Sequence, residues 1–249
     1  MGTVEPRTAS DVVFEVAGFS KRYGHLAALS EVSFSVRAGE ILGLIGPNGA
    51  GKTTLFECVA GLLPATRGTV RRNGVALSAD ERAALLFYLP DAIAPWPMES
   101  VCWALDFTIG FFGGRADLRA EVVASLALEP LLDRTMGTLS KGERKRALIA
   151  IGLLSPVPVL LADEPFDGLD LRQSRDVAAT LRAHAARGRT LVLSIHQISD
   201  AARICDRFVL LSAGRVCGEG TLDELADDAI SHGHAPLDRG LEEVFLALT

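Results

Sequence analysis

One segment of the chain has the residue types and spacing of a phosphate-binding loop. Residues 46–53 read GPNGAGKT and fit the pattern GxxxxGK[ST]. Glycines let the backbone curl around an anion, and a helix that begins there adds the positive end of its dipole. We expect Lys52 to reach the outer phosphates and the Thr53 hydroxyl to bind Mg²⁺. The alternative is a glycine turn with an incidental lysine, but an apolar segment before the loop and a helical pattern after it favour phosphate binding.

A second candidate site is an acidic pair that follows an apolar run. Asp163 and Glu164 come directly after residues 157–162, so their carboxylates are expected at an edge of a sheet. Such a pair is suited to holding Mg²⁺ through Asp163 and to polarising an attacking water through Glu164. Taken alone, acids after a strand are most often part of a solvated loop. The phosphate loop earlier in the chain favours the catalytic interpretation.

A histidine follows another run of the same kind. Residues 190–195 read TLVLSI and end at His196. A lone histidine at the end of a strand is more often a surface residue than a catalytic one. Here we expect it to emerge at the same sheet edge as the acids, where it can donate a hydrogen bond to a terminal phosphate.

Apolar patterning predicts the elements that must position these residues. Val32, Phe34 and Val36 alternate with polar residues, which predicts a half-buried strand, and ILGLI at 41–45 predicts a strand buried on both faces. The apolar spacing after the loop predicts a helix that reaches Leu63. Buried strands alternating with helices predict a largely parallel sheet that binds ligands at its carboxyl edge. Further strands are predicted at 157–162, 190–195 and 208–213, with helices within 101–154 and over 171–186.

The composition disfavours several classes of protein. The 249 residues are 49% apolar and 22% charged, as in an ordinary soluble globular protein, and the net charge of −6 disfavours nucleic acid as a partner. No apolar run approaches the roughly 18 residues of a membrane span, so we expect no direct membrane insertion. The four cysteines lie far apart without a CxxC pair, which is typical of reduced thiols in a cytosolic protein.

A third segment, LSKGE at residues 139–143, precedes a helical pattern. Ser140 and Glu143 have the spacing of a capping box, which predicts that a helix starts at Ser140. One interpretation is simply a well-capped helix. The other is a helix start that receives an anion.

These segments together resemble the ATP-binding cassette (ABC) transporter family, in its exporter-type branch, over nearly the whole chain. In order, GPNGAGKTT resembles the Walker A loop, LSKGE the family signature, LLADEP Walker B, FDGLD the D-loop with Asp170, and His196 the switch histidine. Tyr23, just ahead of the first expected strands, resembles the aromatic residue that stacks on adenine. The resemblance implies a nucleotide-binding set of Tyr23, Gly46, Pro47, Asn48, Gly49, Ala50, Gly51, Lys52, Thr53 and Thr54.

The resemblance also implies a fold. It is a P-loop NTPase core of α/β class with a mostly parallel sheet, an N-terminal antiparallel β subdomain and a helical subdomain. One domain is expected over residues 1–249, with the helical subdomain at about 92–155 and a C-terminal helical tail at about 221–249.

The implied activity is ATP hydrolysis that drives a separate transmembrane permease. ATP and Mg²⁺ are the expected cofactors, with Lys52, Glu164 and His196 catalytic. Family members pair head to tail, so a second cassette, as a homodimer, is an expected partner. The expected location is cytoplasmic, on the inner face of the cell membrane through the permease.

The C-terminal LEEVFLALT resembles exporter subunits. The signature residues expected to act on the partner's nucleotide are Ser140, Lys141, Gly142 and Glu143.

The chain departs from the family pattern at three positions. Asp91 stands where a glutamine usually contacts Mg²⁺, so either Asp91 coordinates the ion with Thr53 and Asp163 or the contact lies elsewhere. In the signature, Lys141 replaces a glycine and Glu143 a glutamine. The aromatic segment after Asp91 is expected either to receive the permease or to form internal core.

The sequence leaves two alternative functions open. One is a soluble, non-transport ABC ATPase that acts on nucleic acid or ribosomes, which the acidic balance and the lack of a second cassette disfavour. The other is a nucleotide-binding regulatory subunit with impaired hydrolysis. Asp91 favours it, and the intact Lys52, Asp163, Glu164 and His196 disfavour it.

Overall fold

Two β-sheets organise the computed structural model, which describes residues 11–231 and 240–249. The smaller sheet contains β1 (Val12–Tyr23), β2 (Leu26–Arg37), β4 (Arg67–Arg72) and β5 (Val75–Ala76). The larger sheet contains β3 (Ile41–Ile45), β6 (Leu86–Leu89), β7 (Val159–Asp163), β8 (Thr190–Ile195), β9 (Arg207–Ser212) and β10 (Arg215–Gly220). The smaller sheet is antiparallel in the order β2-β1-β4-β5. The larger has the order β10-β9-β3-β8-β7-β6 and is parallel except for β10.

The helices connect and cover these strands. They are α1 (Lys52–Ala60), α2 (Ala79–Leu85), α3 (Val101–Phe112), α4 (Arg119–Ser125), α5 (Lys141–Leu154), α6 (Leu171–Ala186), α7 (Ile198–Ile204), α8 (Leu222–Ser231) and α9 (Leu241–Leu248). Among the residues that the structure describes, no helix is both long and apolar enough to cross a bilayer. The predicted α/β class, with an antiparallel and a mostly parallel sheet, is confirmed. The limits predicted for the domain, its helical part and its tail stay predictions.

Apolar layers cover both faces of the parallel sheet, and successive side chains of a strand point to opposite faces. In β3, Ile41 and Ile45 pack in the apolar layer that includes α3, α4 and α5. Leu42 and Leu44 pack on the other face, with α1 and the smaller sheet. The continuous apolar run ILGLI therefore serves two cores at once, as predicted for a strand of this kind.

Several predicted boundaries are confirmed, and others are wrong for local reasons. The strand at 190–195 and the helix at 171–186 have the predicted limits. The helix after the phosphate loop ends at Ala60, not Leu63, because Gly61 adopts a left-handed conformation with φ of 83° and caps it. The strand predicted from residue 157 begins at Val159, after Pro158, which has no backbone N–H for the sheet.

Tyr23 is placed differently from the prediction. It is the last residue of the twelve-residue strand β1, rather than a residue ahead of the first strands. The pairing of β1 with its neighbours has register shifts on both sides of Phe19, so the period-two pattern is interrupted there. A search for uninterrupted alternation therefore misses this strand.

Candidate active site

A cavity of about 890 Å³ brings together most of the residues singled out in the sequence. All of them except Tyr23, which ends β1 of the smaller sheet, arrive there because the segments after the parallel strands β3, β6, β7 and β8 all lie at the same edge of the larger sheet. The predicted residues that line the cavity are Tyr23, Pro47, Asn48, Gly49, Gly51, Lys52, Thr53, Thr54, Asp91, Glu164 and His196.

The backbone of the phosphate loop requires glycine at two positions. Gly51 has φ of 105°, and a Cβ there would lie 2.8 Å from the Ala28 carbonyl oxygen. A Cβ on Gly46 would lie 2.3 Å from the Leu211 carbonyl oxygen. No described side chain caps the N-terminus of α1 at Gly51, so its first N–H groups can turn to an anion.

Lys52 lies beneath this loop and is 6% exposed. Its ammonium donates a hydrogen bond of 2.8 Å to the Gly46 carbonyl oxygen and lies 3.3 Å from Oε1 of Glu164. Its positive charge therefore lies between the loop that is shaped for phosphate and the predicted catalytic carboxylate.

Asp163 is 2% exposed and receives hydrogen bonds from two hydroxyls. Thr53 Oγ1 donates to Oδ2 of Asp163 at 2.7 Å, and Ser194 Oγ donates to Oδ1. Ser194 and Asp163 face each other because β7 and β8 pair in this register. Mg²⁺ prefers oxygen ligands and is usually held by one or two protein groups together with phosphates and waters. The Thr53 hydroxyl and the Asp163 carboxylate fit that requirement, while the described residues form no cluster of three or more His, Cys, Asp or Glu.

Glu164 presents its carboxylate to the cavity from a constrained backbone. Its φ is 49°, a left-handed value that is uncommon for a side chain of this size. Its N–H donates to the carbonyl oxygen and the hydroxyl of Ser194 at 3.2 and 3.0 Å. Oε2 lies 2.5 Å from Nδ1 of His196, and Oε1 faces Lys52. A carboxylate held in this way can accept a proton from a water on its cavity side.

Other predicted residues differ in their exposure and position. Tyr23 is 46% exposed at the cavity wall, with the Lys21 ammonium 5.3 Å from its ring centroid. Ala50 is buried at 3% exposure and does not line the cavity. Asp170 is the N-cap of α6, in a capping box with Gln173, and is also outside the lining. Asp91 lines the cavity, but its Oδ1 pairs with Lys145 at 2.7 Å.

The predicted capping box of the signature segment is confirmed. Ser140 accepts a hydrogen bond from the Glu143 N–H, and the Glu143 carboxylate accepts one from the Ser140 N–H at 2.8 Å. Ser140 and Lys141 are exposed, and the Lys141 ammonium pairs with Asp167. As far as described residues form the cavity wall, Ser140, Lys141, Gly142 and Glu143 are not part of it.

Three residues near the site were missed from the sequence. Ser194 carried a signal, since it is a polar residue within the apolar run that follows Thr190 in β8. Asp167 lies within the FDGLD segment, although Asp170 was singled out there. Lys145 carried no signal in the sequence, because a lysine in a basic stretch of helix is ordinarily exposed. In the structure it is only 5% exposed.

Comparisons with known proteins agree with this arrangement. The model of the ABC transporter family matches residues 29–167. The chain is 34% identical to a Nod factor export ATP-binding protein I of Mesorhizobium japonicum, covering 90% of this chain and 68% of that protein. It is 35% identical to the hemin import ATP-binding protein HmuV of Streptomyces coelicolor, covering 88% of this chain and 82% of that protein. It is also 35% identical to a phosphonates import ATP-binding protein of a Nostoc species, covering 87% of this chain and 96% of that protein.

Solved structures show the same likeness. One described as the ATP binding subunit of an ABC transporter superposes with a TM-score of 0.81 at 30% identity, covering 94% of this chain and 98% of that one. The family match, these relatives and the cavity lined by the predicted phosphate loop lead to one conclusion. The chain belongs to the ABC transporter family, as an ATP-binding subunit that hydrolyses ATP.

Proposed function

We propose that two copies of this subunit close head to tail around two ATP molecules and that hydrolysis drives a separate transmembrane permease. The proposal rests on the separation of the predicted nucleotide-binding residues from the signature segment. The phosphate loop, Glu164 and His196 share one cavity, while Ser140 is exposed at the start of α5, outside that cavity. An exposed helix start outside the chain's own site is available to the nucleotide of a second copy.

Each residue in the cavity has a role in this proposal. Lys52 and the N–H groups of the loop bind the β- and γ-phosphates, and Tyr23 stacks on the adenine. Glu164 accepts the proton of the attacking water, and His196 donates a hydrogen bond to the γ-phosphate. Thr53 and Asp163 hold Mg²⁺, which neutralises charge on the phosphates.

The dimer is tested with a variant that binds ATP without turning it over. With Glu164→Gln, Mg²⁺-ATP is expected to double the mass measured by light scattering. Adding Ser140→Asp preserves the helix cap but places a negative charge against the partner's triphosphate, so the dimer is expected to weaken at least about tenfold. The control is Ser78→Asp, the same change at the N-cap of α2. A dimer that forms equally well with Ser140→Asp would refute the head-to-tail arrangement.

The magnesium site gives a separate prediction. Thr53→Ala removes the hydroxyl that lies 2.7 Å from Oδ2 of Asp163. The Mg²⁺ concentration for half-maximal ATPase activity is therefore expected to rise roughly tenfold, which corresponds to the free energy of about one hydrogen bond to a charged group. Thr53→Ser retains the hydroxyl and is the matched control, with a midpoint near that of the unaltered chain. Equal midpoints in Thr53→Ala and Thr53→Ser would exclude Thr53 as a ligand.

The permease is proposed to dock on the aromatic face of α3. Trp103, Phe107 and Phe111 are four residues apart and stack with ring centroids 4.9 and 5.3 Å apart. Trp103 is 39% and Phe111 70% exposed, so part of this segment is surface rather than internal core. Aromatic side chains exposed together are typical of a protein interface. The chain is thereby expected on the inner face of the cell membrane.

Export is the proposed direction of transport. The C-terminal LEEVFLALT, which resembles exporter subunits, forms helix α9 over Leu241–Leu248, and α9 contacts α7 and α8. Relatives at 34–35% identity include a Nod factor exporter and importers of hemin and phosphonates, so identity does not separate the directions. The direction is tested in vesicles with the cassette facing outward, by measuring the cargo inside the vesicles after ATP is added outside. An exporter accumulates cargo inside the vesicles, whereas an importer releases preloaded cargo to the outside.

A further inference from the structure

Lys145 is a buried cation close to the active site. Its side chain is 5% exposed and projects from the second turn of α5. The ammonium donates to Oδ1 of Asp91 at 2.7 Å, to the Asp91 carbonyl oxygen at 3.4 Å and to the Asp163 carbonyl oxygen at 3.2 Å. It therefore contacts both the loop after β6 and the last residue of β7.

The contact with Asp163 involves the peptide bond between Asp163 and Glu164. The carbonyl oxygen of that peptide accepts from Lys145, and its N–H donates to the Ser194 carbonyl oxygen and hydroxyl. Both polar ends of one peptide unit are thus held by neighbouring elements. The next backbone dihedral, φ of Glu164, is the left-handed 49° that a non-glycine residue retains only when its surroundings impose it.

We propose that Lys145 is a positioning residue that fixes the Asp163–Glu164 peptide and so aims the Glu164 carboxylate at the attacking water. The proposal rests on the proposed role of Glu164 as the proton acceptor. Lys145 is buried and does not itself line the cavity, although its partner Asp91 does. It acts through the backbone.

Asp91 has a definite place in this arrangement. A buried ammonium is unfavourable unless a counter-ion and hydrogen-bond acceptors surround it. Asp91 supplies the charge, and the two carbonyl oxygens supply the remaining acceptors. Glutamine, the usual residue of the family at this position, is neutral and supplies no charge. The departure at Asp91 is thereby explained as the counter-ion of Lys145.

A purely structural ion pair would also tie α5 to the loop after β6, so the test must separate the two roles. Lys145→Met removes both the charge and the donor. Lys145→Gln removes the charge but keeps an N–H donor. Asp91→Asn combined with Lys145→Met removes both charges, which relieves the unpaired aspartate without restoring a donor to the Asp163 carbonyl oxygen.

The measurements are kcat and KM for Mg²⁺-ATP with Tm for each purified chain. Lys145→Met is expected to lower kcat roughly 10- to 100-fold, the size of one lost hydrogen bond to a charged group, with KM within about threefold. The double variant is expected to regain Tm but not kcat, and Lys145→Gln to regain part of kcat. The control is Arg146→Met, which removes a neighbouring buried cation that bonds the carbonyl oxygens of Leu126 and Ala127. It is expected to lower Tm while kcat stays within about twofold.

The outcomes are distinguishable from a failure of the proposed function. If the unaltered chain hydrolyses ATP and Glu164→Gln does not, Glu164 retains its role whatever Lys145 does. Unchanged kcat in Lys145→Met, or recovery of kcat in the double variant, would then overturn the positioning role. Should Lys145→Met not fold, Lys145→Gln and the double variant provide the same comparison.

Discussion

Replacing Glu164 by glutamine is expected to lower kcat by roughly 10²- to 10⁴-fold, the range for removal of a general base. Glutamine has nearly the same shape and can still accept a hydrogen bond from Lys52, which lies 3.3 Å from Oε1. Its amide cannot accept a proton from water, so turnover is lost while nucleotide binding persists. Phosphate release and equilibrium ATP binding measure the two effects separately.

A matched control accompanies this variant. Glu129→Gln makes the same change at an exposed residue outside the cavity and is expected to retain kcat. Glu164→Gln with the turnover of the unaltered chain would show that another group accepts the proton.

Removing the ammonium of Lys52 is expected to have a comparable effect on catalysis and a larger one on binding. Lys52→Ala takes away the cation beneath the phosphate loop and leaves Glu164 without its positive neighbour. Loss of one such electrostatic contact with a transferring phosphoryl group lowers kcat about 10²- to 10³-fold. We also expect the Kd for ATP to rise roughly 10- to 100-fold, measured by calorimetry.

Lys52→Arg distinguishes charge from fit at this position. The arginine keeps the positive charge. In the unaltered chain, however, Lys52 is only 6% exposed, and its ammonium donates a hydrogen bond of 2.8 Å to the Gly46 carbonyl oxygen. A longer, planar guanidinium does not fit that space, so we expect this variant to lose activity as well. ATP binding by Lys52→Ala with undiminished affinity would contradict the assignment of this lysine.

The fold was predictable where burial leaves a regular pattern. The strand over Ile41–Ile45 is apolar throughout because both faces of the parallel sheet are covered, and the Ser140 capping box marks the start of α5 by itself. The first strand was not predictable, because its pairing shifts register on both sides of Phe19 and interrupts the alternation. The end of α1 was placed late because a capping glycine, Gly61, outweighed the apolar period that continues beyond it.

The candidate site was predictable where one segment carries several of its side chains. The phosphate loop and the acidic pair each do so, and the parallel topology brings them together. Contacts between segments were not predictable. The pairing of Asp91 with Lys145 joins residues 54 positions apart, and the burial of that lysine depends on how α5 meets the loop after β6. Ser194 lies against Asp163 only because β7 and β8 pair in that register.

The most direct test of the proposed ATPase is phosphate release by the purified chain with Mg²⁺-ATP, repeated with the permease present. We expect steady turnover that requires Mg²⁺ and falls to background in Glu164→Gln. A chain that binds ATP but never releases phosphate, even with its permease, would contradict the proposal of a transport motor and favour a nucleotide-binding regulatory subunit.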